Sequence, residues 1–170
     1  ACPVCGYSIP ELEPRLFSFN SHVGACETCE GMGRLLVTSA RRLIDRPNRP
    51  LLDGAMTSRI GKHITRRGGW YVQVLRSLAE SFGVDLDKPW STLPAKFRRC
   101  SLRGSGAPDS VNVHMQSERQ GRHREYEFEV EWAGLLNLVE GWWRGTQKEG
   151  WWRAALEKLM DEGVCPTCEG

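Results

Sequence analysis

Three Cys-x-x-Cys pairs constrain this chain more than any other feature. They are "CPVC" at 2–5, "CETC" at 26–29 and "CPTC" at 165–168. Each tight turn offers two thiolates to one tetrahedral ion, and two such turns close a structural zinc site with no position left for water. The second and third pairs are both followed by Glu-Gly, where glycine lets backbone amides turn toward the sulfurs without a Cβ clash. Six of the seven cysteines are placed this way, and Cys100 stands alone. No apolar stretch at the start reads as a secretion signal, so the pattern favours metal over disulfides. The candidate ligands are therefore Cys2, Cys5, Cys26, Cys29, Cys165 and Cys168, with Zn2+ as a structural cofactor. His22 is placed to act as a reserve ligand, although an exposed loop histidine is the plainer reading. A thioredoxin-like role needs a strand-to-helix context, and here proline and glycine surround the pairs. A catalytic zinc site needs a three-ligand pattern with His and Glu, which is absent. The chain starts one residue before a knuckle and stops two after another, which reads as a piece of a larger protein.

Charge is unevenly spread behind a net value of only +2. Residues 57–124 carry thirteen basic and five acidic side chains, whereas 125–170 carry four basic and ten acidic. The basic residues fall in three clusters: "RIGKHITRR", "KFRRCSLR" and "RQGRHR". Any one cluster is most simply a solvated face, but three in one stretch point toward phosphate contacts. The candidates are Arg59, Lys62, His63, Arg66, Arg67, Arg98, Arg99, Arg119, Arg122 and Arg124. Neither G-x-x-x-x-G-K-S/T nor G-x-G-x-x-G occurs, so a nucleic-acid backbone fits better than a nucleotide pocket. At 40% hydrophobic residues, including seven Trp, the chain can bury a core. No run approaches the length of a membrane span, which leads to the expectation of a cytoplasmic protein with no membrane partner.

In "EYEFEVEW", 125–132, four glutamates alternate strictly with Tyr126, Phe128, Val130 and Trp132. Period-two alternation predicts a strand with one apolar and one wet acidic face. Val111, Val113 and Met115 alternate with Asn112 and His114, so the two runs predict a hairpin with the third basic cluster and Gly121 at its tip. Helical spacing of Tyr71, Val74, Leu75, Leu78 and Phe82 predicts a helix stopped by Gly83. Leu135, Leu138, Val139 and Trp142 predict a second. Trp152, Ala155, Leu156, Leu159 and Met160 predict a third, ended by Gly163. The Trp pairs 142–143 and 151–152 read as core before they read as base-stacking groups. "RPNRPLLDG", 46–54, reads as a turn-rich connector. Together these elements give an α+β fold: a small zinc-knuckle module with an inserted domain, the latter a β-hairpin or small antiparallel sheet packed against several helices. The expected divisions are 1–33 for the knuckle region, 34–164 for the insert and 165–170 for the returning knuckle.

The stretch "CPVCGYSIPELEPRLFSFNSHVGACETCEGMG" resembles the first zinc region of the UvrA family, the damage-recognition subunits of the bacterial excinuclease ABC. The match is dense over 1–33 and returns at "CPTCEG". Over 34–164 it is similar in the order of features, including "W…LRSLAESFGVDLDKPWSTLP", a charged hairpin and two helices. The Trp-rich stretch 142–152 matches no pattern of the family. The resemblance implies a parent that is a dimeric ATPase of the ABC class, that uses ATP and Mg2+, scans duplex DNA in nucleotide excision repair and loads UvrB. A second UvrA copy, UvrB and duplex DNA are the implied partners. Neither the P-loop nor the ABC signature lies in this chain, so the chain alone is expected to be no enzyme.

The family's second half carries a related pair of knuckles. By that analogy Cys26 and Cys29 share an ion with Cys165 and Cys168, and Cys2 and Cys5 find ligands elsewhere in the parent or in His22. The rival is a local four-cysteine finger from Cys2 to Cys29. Loop closure does not separate the two, because its cost grows only logarithmically with length. The function expected is a zinc-organised DNA-contacting segment. The alternative is a protein-interaction module whose basic clusters are only solvated.

Overall fold

The computed structural model of the chain describes residues 3–4, 25–104, 110–119, 122–165 and 167–170; of 110–111, 114–119 and 122–125 it describes the backbone alone. Among these residues the order is β1 (Arg34–Thr38), α1 (Ala40–Leu43), α2 (Arg59–Ile64), α3 (Trp70–Ser81), a 3₁₀ turn (Trp90–Thr92), α4 (Ala95–Arg103), β2 (Ser110–Arg119), β3 (Arg122–Glu131), α5 (Leu135–Gly145), α6 (Trp151–Glu157) and β4 (Met160–Val164). This is the α+β mixture expected. Two two-stranded sheets form, β1 with β4 and β2 with β3. The described chain divides into a small unit, drawn from Ala1–Val37 and Glu162–Gly170, and a larger one, Thr38–Asp161.

In the larger unit the helical stripes become the core. Helix α3 buries Val72, Val74, Leu75, Leu78 and Ala79, and Gly83 follows it at φ +61°. Helix α4 contributes Phe97, which meets the rings of Phe82 and Trp90 edge-on at 5.8 and 6.4 Å. Leu135 and Val139 of α5 and Leu156 of α6 are completely buried in the same cluster. Cys100 also lies in this core, on α4, and is no candidate ligand. The connector 46–54 is indeed built of turns, yet it carries the fully buried Leu51. Helix α2 starts at Ser58, whose Oγ accepts the Gly61 N–H at 2.9 Å and satisfies one of the otherwise orphaned amides of the first turn.

The helix expected to run from Trp152 to Gly163 is corrected. Helix α6 ends at Glu157, and Met160–Val164 is strand β4. The spacing of Leu156, Leu159 and Met160 suits a helix, but pairing with β1 claims the last residues for a strand. Ser39 N–H donates to Leu159 O at 2.8 Å and Cys165 N–H to Gly33 O at 2.9 Å, an antiparallel order. Strand β1 itself carries no clear alternation and was not anticipated from the sequence.

The hairpin is anchored where β3 runs past the end of α4 into α5. Gly104 caps α4 at φ +87° and Gly134 precedes α5 at φ +93°. A Cβ on Gly134 would lie 2.4 Å from the backbone of Arg103 and Gly104; one on Gly104 would lie 2.4 Å from the Trp132 carbonyl oxygen. Two backbones thus touch with no room for a side chain, in a conformation that L-residues rarely adopt. No helix among the described residues is long and apolar enough to cross a membrane.

Gly134→Ala should lower stability by roughly 3 kcal/mol or more, since strained φ and backbone overlap add. Ser58→Ala should cost about 1 kcal/mol, the ordinary loss of an N-cap. Denaturant unfolding of both variants checks the order.

Candidate functional site

The small unit brings two knuckles together. Cys26 Sγ lies 3.8 Å from Cys165 Sγ, and Cys29 Sγ lies 3.7 Å from Cys168 Sγ. All four sulfurs fall within 4.8 Å of one another. These separations are far beyond a disulfide bond of about 2.05 Å. They match the sulfur–sulfur edge, about 3.8 Å, of a tetrahedron built on metal–sulfur bonds of about 2.3 Å. The donor set therefore fits a four-thiolate ion site with no open position. Cys2, Cys5 and His22 lie outside the described residues.

The two knuckles are local copies, 139 residues apart. The same offset relates Thr28 to Thr167, whose hydroxyls hydrogen-bond at 2.9 Å. It also relates Glu30, at φ +53°, to Glu169, at φ +57°. Both turns thus reverse through the same left-handed residue after the second cysteine. The shared C-x-T-C-E-G spelling carried this signal, although the threonine bridge was not read from it. Gly33 N–H donates to Cys29 Sγ at 3.2 Å, tying the glycine turn to the knuckle. Burial pushes the Cys165 thiol up, but amide hydrogen bonds from Cys168 and Thr167 outweigh it and bring the value down to about 6. The Gly170 amide lowers Cys168, yet burial and the neighbouring thiols prevail and push it up to about 11. Four close thiols cannot all ionise freely; a cation at their centre removes that conflict.

The first two basic clusters, in the larger unit, sit on helices. Arg59, Lys62 and His63 are exposed on α2, opposite the buried Ile60 and Ile64, and Arg66 and Arg67 are exposed in the turn before α3. Two of these have company. Arg59 lies over the Trp151 ring at 4.8 Å, and His63 meets Trp142 and Trp152 edge-on at 5.6 and 5.3 Å. On α4, Arg99 is exposed, while Arg98 is half-buried and its Nε has no hydrogen-bond partner among the described residues. The Trp residues divide: Trp142, Trp143 and Trp152 pack against the core, whereas Trp151 is 61% exposed.

The third cluster lies on the hairpin. The register pairs Arg119 with Arg122 and Ser117 with Arg124. Because alternate residues share a face, Arg119, Arg122 and Arg124 fall on the same face as Met115, Tyr126, Val113 and Phe128. The opposite face carries Glu125, Glu127, Glu129 and Glu131. One face of the ribbon thus runs from apolar to basic, and the other is acidic along its length. Like charges directly opposite, as at Arg119 and Arg122, destabilise a ribbon unless something offsets them.

The apolar face is only partly covered. Val113 is buried against α3, but Tyr126 and Phe128 remain 38% and 41% exposed, as does Trp70 at 38%. A ten-residue ribbon extends about 33 Å, whereas the twelve-residue α3 extends about 18 Å. One helix cannot cover it, and alternation alone did not reveal that. A groove of about 710 Å³ lies along α3, lined by Arg67 and Arg76 together with Asp53 and Asp87. Its balanced charges do not select an anion.

Residues 40–158 match the family model described as UvrA DNA-binding domain. The chain is 38% identical over 170 residues to UvrABC system protein A of Salmonella typhimurium strain LT2, covering all of this chain and 17% of that protein. It is 36% identical, with the same coverage, to UvrABC system protein A of Escherichia coli K12. The chain thus spans about one-sixth of the length of these relatives. Among solved structures, UvrA2 from Deinococcus radiodurans aligns with a TM-score of 0.60 at 20% identity, over 90% of this chain and 18% of that one, a likeness of fold.

Metal loading should protect Cys26, Cys29, Cys165 and Cys168 from alkylation together, as mapped by peptide mass spectrometry. Because a bound ion displaces thiol protons, affinity should fall as pH drops, most steeply once Cys165 protonates near 6. A Co2+ titration followed by thiolate charge-transfer absorption measures this; a pH-independent affinity would exclude thiolate ligation.

Proposed function

The chain belongs to the UvrA family through its DNA-binding domain, and on that premise we propose that it is a zinc-organised segment through which a longer repair protein contacts duplex DNA during damage recognition. The observation that carries this reading is the two-faced ribbon, with three arginines co-facial by register and the glutamates on the other side. A polyanion can approach the basic face and is repelled from the acidic one, which orients the contact. Exposed Lys62, Arg66, Arg67 and Arg99 supply further cations for phosphates. Contacts of this kind position a protein on DNA without reading sequence.

In this reading Cys26, Cys29, Cys165 and Cys168 hold a structural zinc ion. Four thiolates fill its coordination shell, so the ion supplies a covalent clamp and no Lewis-acid chemistry. ATP hydrolysis with Mg2+, a second UvrA copy and UvrB belong to the rest of the longer protein. The acidic ribbon face favours, as a second reading, a docking surface for a basic protein.

Binding to duplex DNA should be sequence-independent and fall steeply with salt. Arg66→Ala with Arg67→Ala should lower the slope of log affinity against log salt by about 1–2, as phosphate contacts are lost. Fluorescence anisotropy at several salt concentrations measures it; an unchanged slope removes these residues from the contact.

A further inference from the structure

Resting on the reading that this segment contacts DNA, we propose that Trp70, Tyr126 and Phe128 form a stacking surface for unpaired bases of a distorted duplex, with the co-facial arginines of the ribbon holding the adjoining phosphates. The three rings form one patch. Trp70 meets Phe128 edge-on at 6.0 Å, and Tyr126 and Phe128 lie nearly parallel, 16° apart, with centroids 6.1 Å apart. Between 38% and 41% of each residue is exposed, an unusual display for large aromatic groups side by side.

Charge selects the occupant. Toward the hairpin tip the patch continues into Arg124, Arg122 and Arg119 on the same face. In the chain, exposed Arg66 and Arg67 precede the Gly68-Gly69 turn that leads into Trp70. The glutamates that would suit a basic protein lie on the opposite face. Aromatic groups that continue into arginines along one face fit a ligand that alternates flat apolar rings with anions, namely a nucleic-acid strand. In an intact duplex the base faces are covered by neighbouring bases. Only an unpaired or unstacked nucleotide offers a face to these rings, and stacking is tolerant of base identity. The patch therefore responds to loss of pairing, not to sequence.

The test uses the intact, metal-loaded protein and two probes, a matched duplex and the same duplex with a short central bubble carrying 2-aminopurine. The wild type should bind the bubble more tightly and quench its fluorescence. Trp70→Leu with Tyr126→Thr keeps apolar bulk and strand propensity while removing two rings; thermal melting shows whether it is folded. Bubble affinity should fall about tenfold with duplex affinity within about twofold, and quenching should vanish. Trp70→Phe with Tyr126→Phe should retain both. Equal losses on bubble and duplex, or no loss, would overturn the proposal. So would unchanged DNA binding with loss of binding to a protein partner, which would make the patch a protein-docking surface. If the wild type binds neither probe, the DNA-contact reading itself fails and this inference falls with it.

Discussion

Two pairs of sulfurs that meet across 139 residues of chain set the terms for everything between them. Closing a loop of that length costs about 4 kcal/mol more than the length-independent part, because the cost rises with the logarithm of length. An ion held here as in structural zinc sites would contribute about 10–16 kcal/mol, enough to offset that closure. The folded chain also shares the task, since β1 leaves and β4 returns as neighbouring strands. The ladder continues to the knuckles, where Cys165 N–H reaches Gly33 O. Gly163 sits where a side chain would press on Val37 Cγ2, at 2.8 Å from its Cβ position. Strand pairing and thiolate geometry therefore reinforce each other at the same place.

A length mismatch explains the ribbon. Helix α3 packs on the apolar face where Val113 is buried, while its cross-strand partner Phe128 and the neighbouring Tyr126 stay partly exposed. From these aromatics the same face runs on to the arginines at the tip, while the other face stays acidic. Burying the whole face would need a second helix or a partner. The tight crossing at Gly104 and Gly134 holds the end of β3 against the end of α4 by backbone contact.

The basic residues do not share one task. Arg59 lies over Trp151, and His63 meets Trp142 and Trp152 edge-on, themselves in contact. A guanidinium over an indole gains about 0.5–1 kcal/mol at an exposed site and keeps its charge. Such residues serve packing and field together. Arg66, Arg67 and Arg99 are exposed and have no comparable ring contact among the described residues. The Trp-rich stretch 142–152, expected to lie outside the family pattern, falls within the matched family model, and its rings receive Arg59 and His63 of the first basic cluster.

Much of this protein was legible in periodicity and spelling. Strict alternation in "EYEFEVEW" made a strand because no other backbone puts four glutamates on one side and four apolar groups on the other. The stripes of α3 and α5 made helices for the corresponding reason. The knuckle spacing pointed to thiolate ligands, and four of the six cysteines come close enough to share an ion. Spacing could not say which pairs meet, because loop length barely discriminates between near and distant partners. Nor could it show that Met160–Val164 abandons helical spacing, a choice made by the hydrogen bonds that β1 offers across more than a hundred residues. Local pattern determined which face of each element is apolar. Only the tertiary structure decided how much of that face is covered, because coverage depends on the lengths and positions of elements that are distant in sequence.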